Sequence, residues 1–163
     1  MLQEVRGMAQ VIIDTSDLSQ RQLRERITNA LEVAHGPDQV DLQVISFGFK
    51  HGVPLEADLV FDVRFMQNPF YLPDLRPHSG LTEPVREYVL GQPITQRFLA
   101  YLEEFLTFTI PAYVGEGKTR LTIAIGCTGG RHRSVMLAER LKRSLGAEDN
   151  ARVRVRHRDI FHT

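Results

Sequence analysis

A chain of 163 residues with 42% apolar and 25% charged residues has the size and composition of a globular domain that buries its own core. No apolar run nears 18 residues and "MLQEVRGMAQ" at the N-terminus lacks an apolar stretch, so the sequence offers neither a helical membrane span nor a secretory leader. One cysteine, no zinc-spaced Cys/His cluster and a balance of 20 basic and 20 acidic residues make a cytoplasmic, metal-free protein with no bound cofactor the expectation.

In chain order, "AQVIID" (9–14) reads as a short strand. "TSDLSQRQLRERITNALEV" follows as a capped helix, with Leu23, Ile27, Ala30, Leu31 and Ala34 sharing a face. "DLQVISFGF" (41–49) and "ADLVFDVRF" (57–65) are strands, the second interrupted near its end by Asp62 and Arg64. Three prolines make "NPFYLPDLRPHSG" (68–80) an ordered loop. A helical region then runs from Thr82 to about Tyr113, with Phe98, Leu102, Phe105, Leu106, Thr109 and Ile110 as its expected buried stripe. "TRLTIAIG" (119–126) is a buried strand, and "HRSVMLAERLKRSLG" (132–146) is a helix ended by Gly146. "ARVRVRHR" is a last strand with arginines alternating on one face. Strands separated by helices specify an α/β fold: a mostly parallel sheet with helices on both faces. Strand order does not follow from the pattern.

The chemistry concentrates in "GCTGGRHRSV", between a buried strand and a helix. A glycine-rich turn there directs backbone N–H groups outward, and the helix N-terminus adds partial positive charge. Thr128 adds a hydroxyl and Arg133 a guanidinium, so Thr128, Gly129, Gly130 and Arg133 form a candidate phosphate cradle. The plain alternative is that the glycines only make the turn. Cys127-x5-Arg133-Ser134 also has the spacing of cysteine-dependent phosphatases, whose thiolate attacks phosphorus. Gly126 stands where those enzymes place histidine, and no aspartate lies between Asp74 and Asp149 to act as general acid. "GEGKT" (115–119) ends like a P-loop, but it leaves a helix and enters a strand, so it reads as a loop.

Asp62 and Arg64 at a strand end, with Asn68 just after, make a second cluster. A carboxylate beside an anion cradle suits sugar hydroxyls or an amine; equally, Asp62 and Arg64 can satisfy one another. Charge is uneven as well: residues 131–163 carry nine Lys/Arg against four Asp/Glu. Arg131, Arg152, Arg154, Arg156 and Arg158 are the candidate RNA contacts, against a solvated basic edge strand.

"SFGFKHG", "ADLVFDVRFMQNPFYLPDLRP", "GLTEPVREYVL" and "LTIAIGCTGGRHRSVMLAERL" together resemble the C-terminal domain of the RapZ/YvcJ family, from about Val11 to Asp159. The resemblance implies a single domain over 1–163 with a fold similar to a sugar-phosphate-binding half of phosphofructokinase. It implies too that an N-terminal P-loop module binding ATP or GTP in full-length members lies outside this chain. The function it implies is regulatory rather than enzymatic: an RNase adapter domain that senses glucosamine-6-phosphate, binds RNA and forms homo-oligomers, with a ribonuclease or another regulator as protein partner. The family's sensing motif falls on Asp62, Thr128, Gly129 and Arg133, with Asn68 and Gly130 in the matching strings. Phe70 departs from members that have histidine after Asn-Pro, and His51 replaces an aromatic residue common after "FGFK".

Overall fold

The computed structural model describes residues 7, 9, 11–20, 22, 23, 26, 27, 40–146 and 151–162. The chain divides into two compact units, Met1–Gln39 and Val40–Thr163. In the first, residues 9 and 11–14 form no strand, contrary to the pattern of "AQVIID"; Val11 and Ile12 are 43% and 55% exposed. An isolated apolar run becomes a strand only where a neighbour completes its ladder. Residues 20, 22, 23, 26 and 27 are helical as expected, while Ala30, Leu31 and Ala34 lie outside the described residues.

The second unit is built on four strands, β1 (Val40–Gly48), β2 (Leu59–Asp62), β3 (Arg120–Cys127) and β4 (Ala151–His157). Their order is β2-β3-β1-β4, and every pairing is parallel. The expected parallel α/β sheet is therefore the fold observed. Helix α1 (Glu83–Leu90) and helix α2 (Pro93–Gly115) lead into β3, and helix α3 (Arg133–Leu145) joins β3 to β4. The helical region expected from Thr82 to about Tyr113 is made of two helices, because Pro93 cannot continue α1 and holds Gln92 in an extended conformation, φ −77° and ψ 125°.

Parallel register fixes which residues share a face. Leu42 aligns with Leu121 and Val153, Val44 with Ile123 and Val155, and Leu59 with Ile123. These residues pack with Val85, Val89, Leu99, Leu102, Leu106, Met136, Leu137 and Leu141 into one core. Helices α1, α2 and α3 all contribute side chains to this core. The β1–β2 connection, residues 49–58, contains no α-helix; within it Glu56 reaches Arg156 at 3.5 Å, and Asp58 joins the ladder beside β3, its N–H donating to the Thr122 carbonyl at 2.9 Å and its Oδ2 accepting the Thr122 N–H at 2.8 Å. Among the described residues, no helix is long and apolar enough to cross a membrane.

Candidate anion-binding site

Because all four strands run the same way, their carboxyl ends at Gly48, Asp62, Cys127 and His157 line one edge of the sheet. Open parallel sheets bind ligands at that edge. Two loops meet there at backbone distance: a Cβ on Gly48 would fall 2.6 Å from the Gly129 carbonyl carbon, and one on Gly130 would fall 2.6 Å from the Gly48 nitrogen. Gly130 also has φ +76°, where a side chain is strained. The glycines of "GCTGG" therefore turn the chain and also admit the end of β1.

The loop after β3 keeps its donors unused. Among the described residues, the N–H groups of Thr128, Gly129, Arg131 and His132 make no backbone hydrogen bond. The first turn of α3 adds further N–H groups and the positive end of its dipole. Gly130 differs, since its N–H points at Cys127 Sγ across 3.2 Å; the Ser134 hydroxyl lies 3.2 Å from the same sulfur. Both Cys127 and Ser134 are buried.

Arg133 opens α3 and is 3% exposed. Its Nη1 donates to the carbonyls of Arg64 at 3.0 Å and Met66 at 2.8 Å, and its Nη2 donates to Thr128 Oγ1 at 3.2 Å. Nε is buried without a partner. In a guanidinium the N–H of Nε and one of Nη2 project from the same side, so the unused donor lies on the side that meets Thr128. Burial draws the Arg133 pKa down from its ordinary value, while Cys127 and Asp62 oppose the shift.

Asp62 and Arg64 satisfy each other here. Arg64 Nε lies 3.0 and 2.9 Å from the two carboxylate oxygens, Nη2 lies 2.6 Å from Oδ2, and the Arg64 N–H reaches Oδ1 at 2.9 Å. These bonds hold the Asp62 carboxyl below the ordinary carboxylate range, and Arg133 adds to the effect. The Arg64 guanidinium also stacks over Phe49, 4.1 Å from the ring centre. Asn68 acts locally, its Oδ1 accepting the Phe70 N–H at 3.3 Å and capping the turn Pro69–Tyr71.

Of the candidate RNA contacts, Arg152, Arg154 and Arg156 do alternate outward on β4. Arg154 pairs with Asp41 and Arg156 with Glu56. Arg158 leaves the row. It lies beyond β4, donates to the His51 and Gly52 carbonyls at 3.3 and 2.7 Å, and pairs with Asp159 at 2.8 Å. Arg131 turns to the proline loop, donating to the Pro77 carbonyl at 2.5 Å.

Two residues at this edge, Asp159 and Lys50, escaped the sequence reading. Asp159, 2% exposed, accepts the Gly48 N–H at 2.7 Å and so ties the tail after β4 to the end of β1. Lys50 passes over the loop, its Cε 3.8 Å from where a Gly129 Cβ would be. Only Lys50 had a readable signal, its place in "FGFKHG" at a strand end.

Fold and site together define a parallel α/β domain whose carboxyl edge gathers backbone donors around a buried guanidinium. A family model described as the RapZ C-terminal domain matches residues 40–161. A protein of Desulforudis audaxviator named nucleotide-binding protein is 52% identical over 159 residues, which cover 98% of this chain and 54% of that protein. Proteins of the same name from Listeria monocytogenes and Geobacillus thermodenitrificans are 48% and 49% identical over 160 residues, covering 98% of this chain and 54% and 53% of theirs. The chain belongs to the RapZ C-terminal domain family, as the quoted strings led one to expect, and it spans about half the length of the curated relatives it matches.

Proposed function

We propose that this chain is a regulatory, non-enzymatic sensing domain. It binds a phosphorylated amino sugar of the glucosamine-6-phosphate kind at the Cys127–Arg133 loop and RNA along the β4 arginines. The nucleotide binding in the relatives' names belongs, on this reading, to the part of those proteins outside the match. One observation carries the anion site: Arg133 is a buried cation whose Nε has no partner, on the side that meets Thr128, a residue of the loop whose backbone N–H groups are unused. An oxyanion there gains charge-assisted hydrogen bonds from groups already held in place. Asp62 and Arg64 stand on the sugar side, where a carboxylate does not face the phosphate.

Calorimetry with glucosamine-6-phosphate and inorganic phosphate tests this. Arg133→Ala and Thr128→Val weaken both ligands, the first by about 2 kcal/mol, roughly thirtyfold. Asp62→Asn weakens only the sugar phosphate. If Arg133→Ala is folded and binds phosphate like wild type, the glycines make a turn and nothing more.

The hydrogen bonds on Cys127 Sγ favour one other reading, a cysteine-dependent phosphatase, since donors on the sulfur suit a nucleophile. Burst release from an aryl phosphate that disappears in Cys127→Ser supports it. The sensing reading expects no turnover and unchanged ligand affinity in that variant.

A further inference from the structure

Gln96, Leu99, Ala100 and Glu103 recur along α2 at helical spacing and so share one flank of it. With Leu90, the last residue of α1, and Arg140 from α3, they line a pocket of about 340 Å³, the size of a small-molecule site. Leu90 and Leu99 give it apolar walls, and Gln96 Nε2 donates to the Leu90 carbonyl at 3.0 Å, tying α2 to the end of α1. Its charged groups are Glu103 and Arg140. Glu103 Oε1 is buried and lies 3.4 Å from Arg140 Nη2, yet no donor is aligned with it for a hydrogen bond. Burying a carboxylate oxygen without a donor is costly, and a ligand that brings one removes the cost. The Arg140 side chain is 42% exposed, and among the described residues its guanidinium has no partner besides this ion pair.

We propose that this pocket is a second ligand site and that it takes an α-amino acid with an apolar side chain. The ammonium supplies Glu103 Oε1 with its missing donor, and the carboxylate accepts from Arg140. An α-amino acid carries both charges on one carbon, which suits a carboxylate and a guanidinium that already stand 3.4 Å apart. Helix α1 ends at Leu90, and the negative end of its dipole favours the ammonium. The apolar side chain packs against Leu90 and Leu99, removing their surface from water. An amine alone offers Arg140 no acceptor, and a carboxylate alone leaves Glu103 Oε1 without a donor. The pocket is separate from the anion loop, since Arg140 lies seven residues beyond Arg133 on α3, about 10 Å along the axis.

Titration of the intact chain with L-leucine, followed by amide NMR, tests this independently of the Arg133 site. The amides of Leu99, Glu103 and Arg140 shift saturably, while those of Thr128 and Gly129 do not. Glu103→Gln and Arg140→Gln each weaken leucine binding by about tenfold or more, and their melting curves show folded proteins. Isoamylamine and isovalerate share leucine's branched body but carry one charge each, and both bind about tenfold or more less tightly than leucine. Ala100→Phe, on the exposed side of α2, fills the pocket and abolishes leucine binding while phosphate affinity stays as in wild type. No saturable shift, leucine binding that survives Ala100→Phe, or an amine that binds as tightly as leucine overturns the proposal.

Discussion

His132 precedes α3; the residue is 7% exposed and its Nε2 lies 3.3 Å from the Arg76 carbonyl. Burial holds the imidazole below its ordinary value, and the charges of Arg131 and Arg133 add to the shift. The consequence for stability has a definite sign. As pH falls, the unfolded chain takes up a proton near the ordinary value of about 6.5 while the folded chain still resists it. The contribution is therefore whole above about 6.5 and is lost as pH falls through the lowered folded value. Melting temperature should stay level above neutrality and decline below it, and His132→Asn should flatten that decline although the variant is less stable at neutral pH. Asp58, Asp62 and Asp159, all held below the ordinary carboxylate range, lose their contributions only in more acid solution, which keeps the two windows apart. An unchanged slope between pH 7 and 5 in the variant, about where free histidine titrates, would show that His132 is not the group responsible. Sequence picked out the Cys127–Arg133 loop because strand, glycines and helix are contiguous there. It could not show that Arg133 is anchored by the Arg64 and Met66 carbonyls, whose position depends on another strand.

At the level of elements, β3, α3 and β4 were legible almost to their ends because each has one periodicity and clear punctuation. α2 was misread for a physical reason. Two apolar faces satisfy the same helical spacing, so Phe105 was expected inside although it is 44% exposed, while Leu99, missing from the expected stripe, is 6% exposed. β4 raises a different question, whether its arginines meet RNA or water. Asp41 holds Arg154 and Glu56 holds Arg156, so RNA phosphates must compete with carboxylates already in place. If they win, replacing Arg152, Arg154 and Arg156 with glutamine lowers the slope of log affinity against log salt by about 0.7–0.9 per lost contact. Asp41→Asn then strengthens binding, and Arg158→Gln acts mainly on stability, since Arg158 braces the loop after β1. Filter binding at several salt concentrations decides it; unchanged affinity and slope in the triple variant leave β4 as a solvated edge.

For the whole molecule, the order β2-β3-β1-β4 places the ends of β1 and β3 side by side, so that Gly48 and Gly130 touch although 82 positions separate their numbers. No local pattern encodes that contact, so neither the cradle nor the turn reading of the glycines included it. Convergence makes the two glycines of the loop unequal. A Cβ on Gly130 would meet the Gly48 nitrogen at 2.6 Å, Asp159 Cβ at 2.8 Å and the Phe47 carbonyl carbon at 2.9 Å, and its φ of +76° strains any side chain. These neighbours are backbone or held by the sheet, so they cannot yield without parting β1 from β3. A Cβ on Gly129 would meet only Lys50 Cε, at an ordinary 3.8 Å. Gly130→Ala should therefore cost roughly 2–4 kcal/mol, strain and overpacking together. Gly129→Ala should stay within about 0.5 kcal/mol of wild type in stability, as an unstrained surface substitution does. It should nonetheless disturb the anion site, because its methyl points to Lys50 across the loop mouth. Urea denaturation of both variants, followed by phosphate calorimetry on Gly129→Ala, separates packing from binding. Equal losses of stability at the two positions would mean that the loops do not converge as the sheet order requires.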